Sequence, residues 1–170
     1  MTSNSLLLSD DKIHNVRYPF DVYRIIYGLE KISKLCYTYK NSKGDCMTRE
    51  EFEMLVFNTY GVRADYPFEE DFETGVFRHA DSGKWFCLAM RISGRKLGKE
   101  TNMQTEVVNL KCAPEVIESL AEIEHGIYRA YHMNKTHWLT VALAECDDET
   151  IGWLLGISYD LTKKKNRKTR

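Results

Sequence analysis

Ala130-Tyr-His-Met-Asn-Lys-Thr-His-Trp138 gathers two histidines, a lysine, an asparagine and two large aromatic rings into one short run, and it follows Asn109-Leu-Lys-Cys-Ala-Pro114 at short range. Imidazole, amine and thiol brought this close are the materials of metal binding, of covalent catalysis or of contacts to phosphate and base. The five-residue spacing of His132 and His137 matches neither the four-residue helical pair of metalloproteases nor a zinc-finger pattern, and no Glu stands beside either ring. Cys112 has a histidine within reach of a neighbouring strand but none of the local signature of a thiol nucleophile. Paired carboxylates, a nucleophile elbow and a glycine-rich phosphate loop are also missing, Gly94 and Gly98 being too isolated to form one. The sequence therefore assigns no catalytic residue, no metal ligand and no cofactor.

Recognition is the chemistry that remains. Lys111, His137 and Trp138 form a polar, aromatic surface edged by Arg129, Lys135, Tyr131 and His132 and by the loop residues Arg95 and Lys96. Cations in that setting contact phosphates, while Trp138 or Tyr131 stacks on a base or wedges into a groove. The plainer alternative is that each imidazole packs on one side and hydrogen-bonds a carbonyl, and that a neighbouring loop covers Trp138.

The elements that position these residues follow from periodicity. Thr48-Arg-Glu-Glu51 has capping-box spacing and starts a helix burying Phe52, Leu55 and Val56. Tyr66-Pro67-Phe68 interrupts the pattern, and strand sequence begins near Gly75-Val-Phe-Arg78. Asp81-Ser-Gly83 turns it into the long apolar strand Lys84 to Ile92. Ser93 to Asn102, with two glycines and three basic residues, reads as a mobile hairpin loop projecting into solvent, a candidate wing. Glu106 to Lys111 returns as a strand with Val108, Leu110 and Cys112 on one face and Val107, Asn109 and Lys111 on the other. Pro114 opens a helix that His125-Gly126 stops, and His137 to Leu143 alternates with Leu139, Val141 and Leu143 inward and Trp138, Thr140 and Ala142 outward. Asp147 or Asp148 caps a last helix carrying Ile151, Leu154, Leu155 and Leu161. Helix, three strands, helix, strand, helix predicts an α+β two-layer sandwich, an antiparallel sheet with helices packed on one face.

Ahead of this body, Val22, Ile25, Ile26, Leu29, Ile32, Leu35, Cys36 and Tyr39 recur at helical spacing, predicting one amphipathic helix from about Phe20 to Lys40. The division is an N-terminal helical extension over 1–46, the α/β domain over 47–165 and a basic tail over 166–170. At 170 residues and 43% hydrophobic, the chain supports one cored domain with an appendage. No apolar run has the length of a membrane helix or the form of a signal peptide, so a cytoplasmic location is expected. Five scattered cysteines read as reduced, mostly buried thiols. The net charge of −1 conceals six basic groups within Lys163 to Arg170; without them 18 basic residues face 25 acidic ones, a net of −7. Such a body repels phosphate on average, so nucleic acid must meet a local patch or the tail.

Thr48-Arg-Glu-Glu51, Tyr66-Pro67-Phe68, Lys84-Trp-Phe86, Asn109-Leu-Lys-Cys-Ala-Pro114, Tyr131-His-Met-Asn-Lys-Thr-His-Trp138 and Ser158-Tyr-Asp-Leu161 stand in the order and spacing of the MmcQ/YjbR family. The chain resembles that family from about Met47 to Lys165. The resemblance implies a compact domain similar to CyaY-like and secretion-chaperone-like folds, a double-wing shape, double-stranded DNA as partner and no established reaction. Ala113 stands where the family usually has Asp, Ser93 to Gln104 is longer than usual, and the Phe20–Lys40 helix lies outside the resemblance. The alternative is a protein-interaction or small-ligand module, dimeric or partner-bound through that helix.

Overall fold

The computed structural model describes residues 47–121 and 124–164, so the helix expected over Phe20–Lys40, Cys36, Cys46 and the 166–170 tail lie outside the described residues. The elements are α1 (Arg49–Tyr60), β1 (Gly75–Arg78), β2 (Trp85–Ser93), β3 (Gln104–Lys111), α2 (Pro114–Leu120), β4 (Ile127–Arg129), β5 (Trp138–Ala142) and α3 (Asp148–Thr162). The strands form one antiparallel sheet in the order β1-β2-β3-β5-β4.

The capping box forms as its spacing predicts. Glu51 N–H donates to Thr48 Oγ1 at 3.2 Å and Thr48 N–H to Glu51 Oε2 at 2.8 Å, satisfying two donors that the first helical turn leaves unpaired. Asp147, rather than Asp148, caps α3 by accepting from Thr150 N–H at 2.9 Å. Ala113 caps α2 without any side-chain hydrogen bond.

All three helices bury their apolar stripes on one face of the sheet. Phe52 and Val56 of α1, Val116, Ile117 and Leu120 of α2, and Ile151, Leu154 and Leu155 of α3 join Phe77, Ala89, Val108, Leu110, Leu139 and Val141 in the main core. A fully buried side chain of this size is worth roughly 1.5–3 kcal/mol, so this layer supplies the principal driving force. Between β1 and β2 the register skips from Phe77↔Cys87 to Arg78↔Trp85, leaving Phe86 without a partner. That bulge breaks the alternation and turns both Phe86 and Cys87 toward the helices.

Three expectations are corrected. β4 was not foreseen, because three residues carry too little periodicity to show, yet it pairs with β5 at the sheet edge. Helix α2 ends at Leu120, and Gly126 instead makes the entry turn of β4 at φ +83°, where a Cβ would lie 2.8 Å from Cys146 N. Leu161 is 48% exposed, since the inward stripe of α3 continues through Ser158 and Thr162.

Candidate functional site

The second sheet face differs most from its sequence reading. Its residues alternate outward as expected, but Trp138, Thr140, Ala142, Val107 and Asn109 are all buried. A second apolar cluster forms there from Val76, Leu88, Met90, Ile92, Val107, Ala130, Trp138 and Ala142, with Tyr131, Met133 and Leu97 packed against it. Trp138 keeps only 9% of its surface, so it neither stacks on a base nor enters a groove.

A buried polar clip holds the covering loop in place. Thr140 Oγ1 donates to Asn109 Oδ1 at 2.5 Å and accepts from Tyr131 N–H at 2.9 Å, while Asn109 Nδ2 donates to the Tyr131 carbonyl at 2.7 Å. Both side chains are fully buried, and each finds its partners in the others. Asn134 finishes the loop: its Oδ1 accepts from Thr136 N–H and its carbonyl from the N–H groups of His137 and Trp138. Between the clip and this turn His132 is held at φ +57°, a left-handed conformation costing a non-glycine residue about 1–2 kcal/mol.

Three of the candidate groups that remain accessible meet at a rim. Lys96 Nζ sits 5.7 Å above the half-buried Tyr131 ring, whose centroid is 3.9 Å from that of exposed His132. Arg95, Lys135 and His137 are also exposed, the last two on the same loop. Lys111 is only half-exposed and pairs in register with buried Trp138. Arg129 lies opposite Leu139, a residue of the helix-covered face, and so is not brought to this rim.

The expected wing is a compact turn. Gly94–Leu97 forms one 3-10 turn ended by Gly98 at φ +80°, and Leu97 packs on the second cluster. Lys99 then pairs with Glu145, which also accepts from Tyr128 OH at 2.7 Å. Burial pushes the Glu145 carboxyl up, but hydrogen bonds from Lys99 and Tyr128 outweigh it and hold the group below its usual range. One of the three expected loop cations thus ties the turn to the sheet edge instead of meeting solvent.

Sequence reasoning assigned no role to His79 or Ser158, which join α3 to the sheet. Ser158 Oγ donates to the Phe86 carbonyl and accepts from Lys111 N–H at 2.7 Å, bridging β2 and β3 just beyond their last pair, Cys87 and Leu110. Buried His79 contacts Thr162 Oγ1 through Nε2 at 2.7 Å; that hydroxyl already donates to the Ser158 carbonyl, so the imidazole is the donor. The His79 ring packs 4.4 Å from Tyr159 and 5.1 Å from Phe86, and Tyr159 stacks on Tyr60 at 3.8 Å. Burial depresses the His79 pKa. The signal available in sequence was Ser158 and Thr162 continuing a core stripe with hydroxyls. Cys87, Cys112 and Cys146 are free and buried. Burial pushes Cys112 up to about 12, which leaves almost no thiolate at neutral pH.

An open five-stranded antiparallel sheet with helices on one side and a clipped loop on the other defines a small α+β domain. The family model named YjbR matches residues 58–161, and the chain belongs to that family. An uncharacterised protein of Bacillus subtilis, YyaQ, is 36% identical over 118 residues, which are 69% of this chain and 99% of YyaQ. A crystal structure of a Pseudomonas syringae protein is 38% identical with a TM-score of 0.67, covering 69% of this chain and all of that one. Deinococcus radiodurans DR2400 is 26% identical at a TM-score of 0.51, over 71% of this chain and 81% of that one.

Proposed function

We propose that this YjbR domain is a non-enzymatic, cytoplasmic DNA-binding or transcription-associated protein whose contact surface is the loop rim. The observation that carries the reading is the Lys96 ammonium over the Tyr131 ring with His132 beside it, flanked by exposed Arg95, Lys135 and His137. The buried clip fixes the backbone at Tyr131, and the charges of the exposed basic groups match phosphate. Against a body of net −7, such a local patch is what duplex contact requires. Lys111, Arg129 and Trp138 do not belong to this surface.

The test is a duplex titration at two salt concentrations with the wild type, Lys96→Glu, Lys135→Glu and a chain ending at Thr162. Each charge reversal should weaken binding across sequences and lower the salt slope by about one. Binding unchanged by both reversals, or carried entirely by Lys163–Arg170, refutes the assignment.

A further inference from the structure

Helix α1 carries apolar residues on two sides, but the sheet covers only one. Phe52 and Val56 are fully buried, whereas Met54 is 50% and Phe57 41% exposed. With Glu50 and Gly61 these two form a single outward stripe at i, i+4, i+7 and i+11. Arg63 lies 4.1 Å over the Phe57 ring, while Met54 keeps half of its surface exposed.

The chain supplies an occupant of matching chemistry. Residues 20–40 carry an apolar stripe of Val22, Ile25, Ile26, Leu29, Ile32 and Cys36, which needs a surface of its own. Only Asn41 to Met47 separates them from Thr48, the cap of α1. Seven residues span at most about 25 Å, while α1 is about 18 Å long, so the segment reaches the whole stripe in an antiparallel hairpin. In that orientation Lys40, next to the connection, would stand level with the acidic first turn of α1, with Glu50 and Glu51. Over residues 20–40 four basic groups outnumber two acidic ones, so the charges are complementary. The Pseudomonas syringae relative is matched along its full length by 69% of this chain, which leaves an additional stretch here to serve such a purpose.

We infer that the outward side of α1, Met54 and Phe57, is the docking surface for residues 20–40 of the same chain. The full-length protein tests this by hydrogen exchange, comparing wild type with the double variant Met54→Glu/Phe57→Glu. Amides within 22–39 should be protected at least ten-fold in the wild type and lose most of that protection in the variant, while β2 and β3 stay protected in both. A second variant, Ile25→Asp/Ile32→Asp, leaves α1 intact and should speed peroxide oxidation of Met54 several-fold. Light scattering should give a monomer throughout. An unprotected 22–39 in wild type, protection unchanged by the α1 substitutions, or an unchanged Met54 oxidation rate overturns the inference. A wild-type dimer that the α1 substitutions dissociate also overturns it, assigning the stripe to a second copy.

Discussion

Replacing Ser158 with alanine tests whether one hydroxyl joins β2 to β3 where their direct pairing stops. The substitution removes the donor to the buried Phe86 carbonyl and the acceptor of the Lys111 N–H, which is partly buried. A buried group stripped of its partner costs about 1–3 kcal/mol, with the carbonyl toward the upper end and the N–H toward the lower. Alanine's higher helix propensity returns a few tenths of a kcal/mol. The net expectation is a loss of roughly 2–4 kcal/mol. With a urea slope of about 1–3 kcal/mol/M for a small domain, the midpoint should fall by roughly 1–2 M at unchanged slope. Ser119→Ala serves as the control, because Ser119 Oγ makes an exposed bond to the Glu115 carbonyl; its loss should stay near or below about 0.5 kcal/mol. The reasoning fails if Ser158→Ala costs no more than this control.

Asn109→Leu removes two of the clip's three hydrogen bonds, leaving the Thr140 hydroxyl without its acceptor and the Tyr131 carbonyl without its donor. Amide exchange in 130–137 should quicken by at least ten-fold while α1 and α3 keep their protection; uniform acceleration everywhere would show that the loop does not open by itself. His79 makes stability depend on pH with a definite sign. Its folded pKa is depressed, so below the ordinary value of about 6.5 the unfolded chain binds a proton that the folded chain resists. Asp81 opposes that shift, while Lys84 and Lys163 reinforce it. Stability is full above about 6.5 and falls with decreasing pH at no more than about 1.4 kcal/mol per unit, until the folded pKa is passed. Denaturant melts between pH 7 and 5 should show this slope in the wild type and not in His79→Gln.

Much of the fold was legible because it rests on local rules. The capping box, the Asp81-Ser-Gly83 turn and the alternation of β3 and β5 all appear where sequence puts them. What escaped depends on pairings distant in the chain. Asn109 and Thr140 look like solvent-facing polar residues until each is seen to satisfy the other across 31 positions. Burial of Trp138 follows from that clip, which draws the loop over the sheet. Polar composition made Ser93 to Asn102 look like a projecting wing, but Lys99 finds Glu145 46 residues away. His79 sits at the end of β1, where no periodicity marks an inward residue, and its partner Thr162 lies 83 positions on.

Among the described residues the two sides of the sheet are closed by unequal means, three α-helices on one and, on the other, a cluster built from strands and loops. Opening the second side therefore does not require dismantling the first. Lifting Ala130 to Met133 breaks two hydrogen bonds and bares part of the strip formed by Leu88, Met90, Val107 and Trp138. Such a partly open form lies well below global unfolding and offers strand-borne apolar surface to other chains. Concentration-dependent self-association on mild warming should start from this species, with helical circular dichroism still intact, and substitutions that loosen the clip should lower its onset temperature before they lower the melting point.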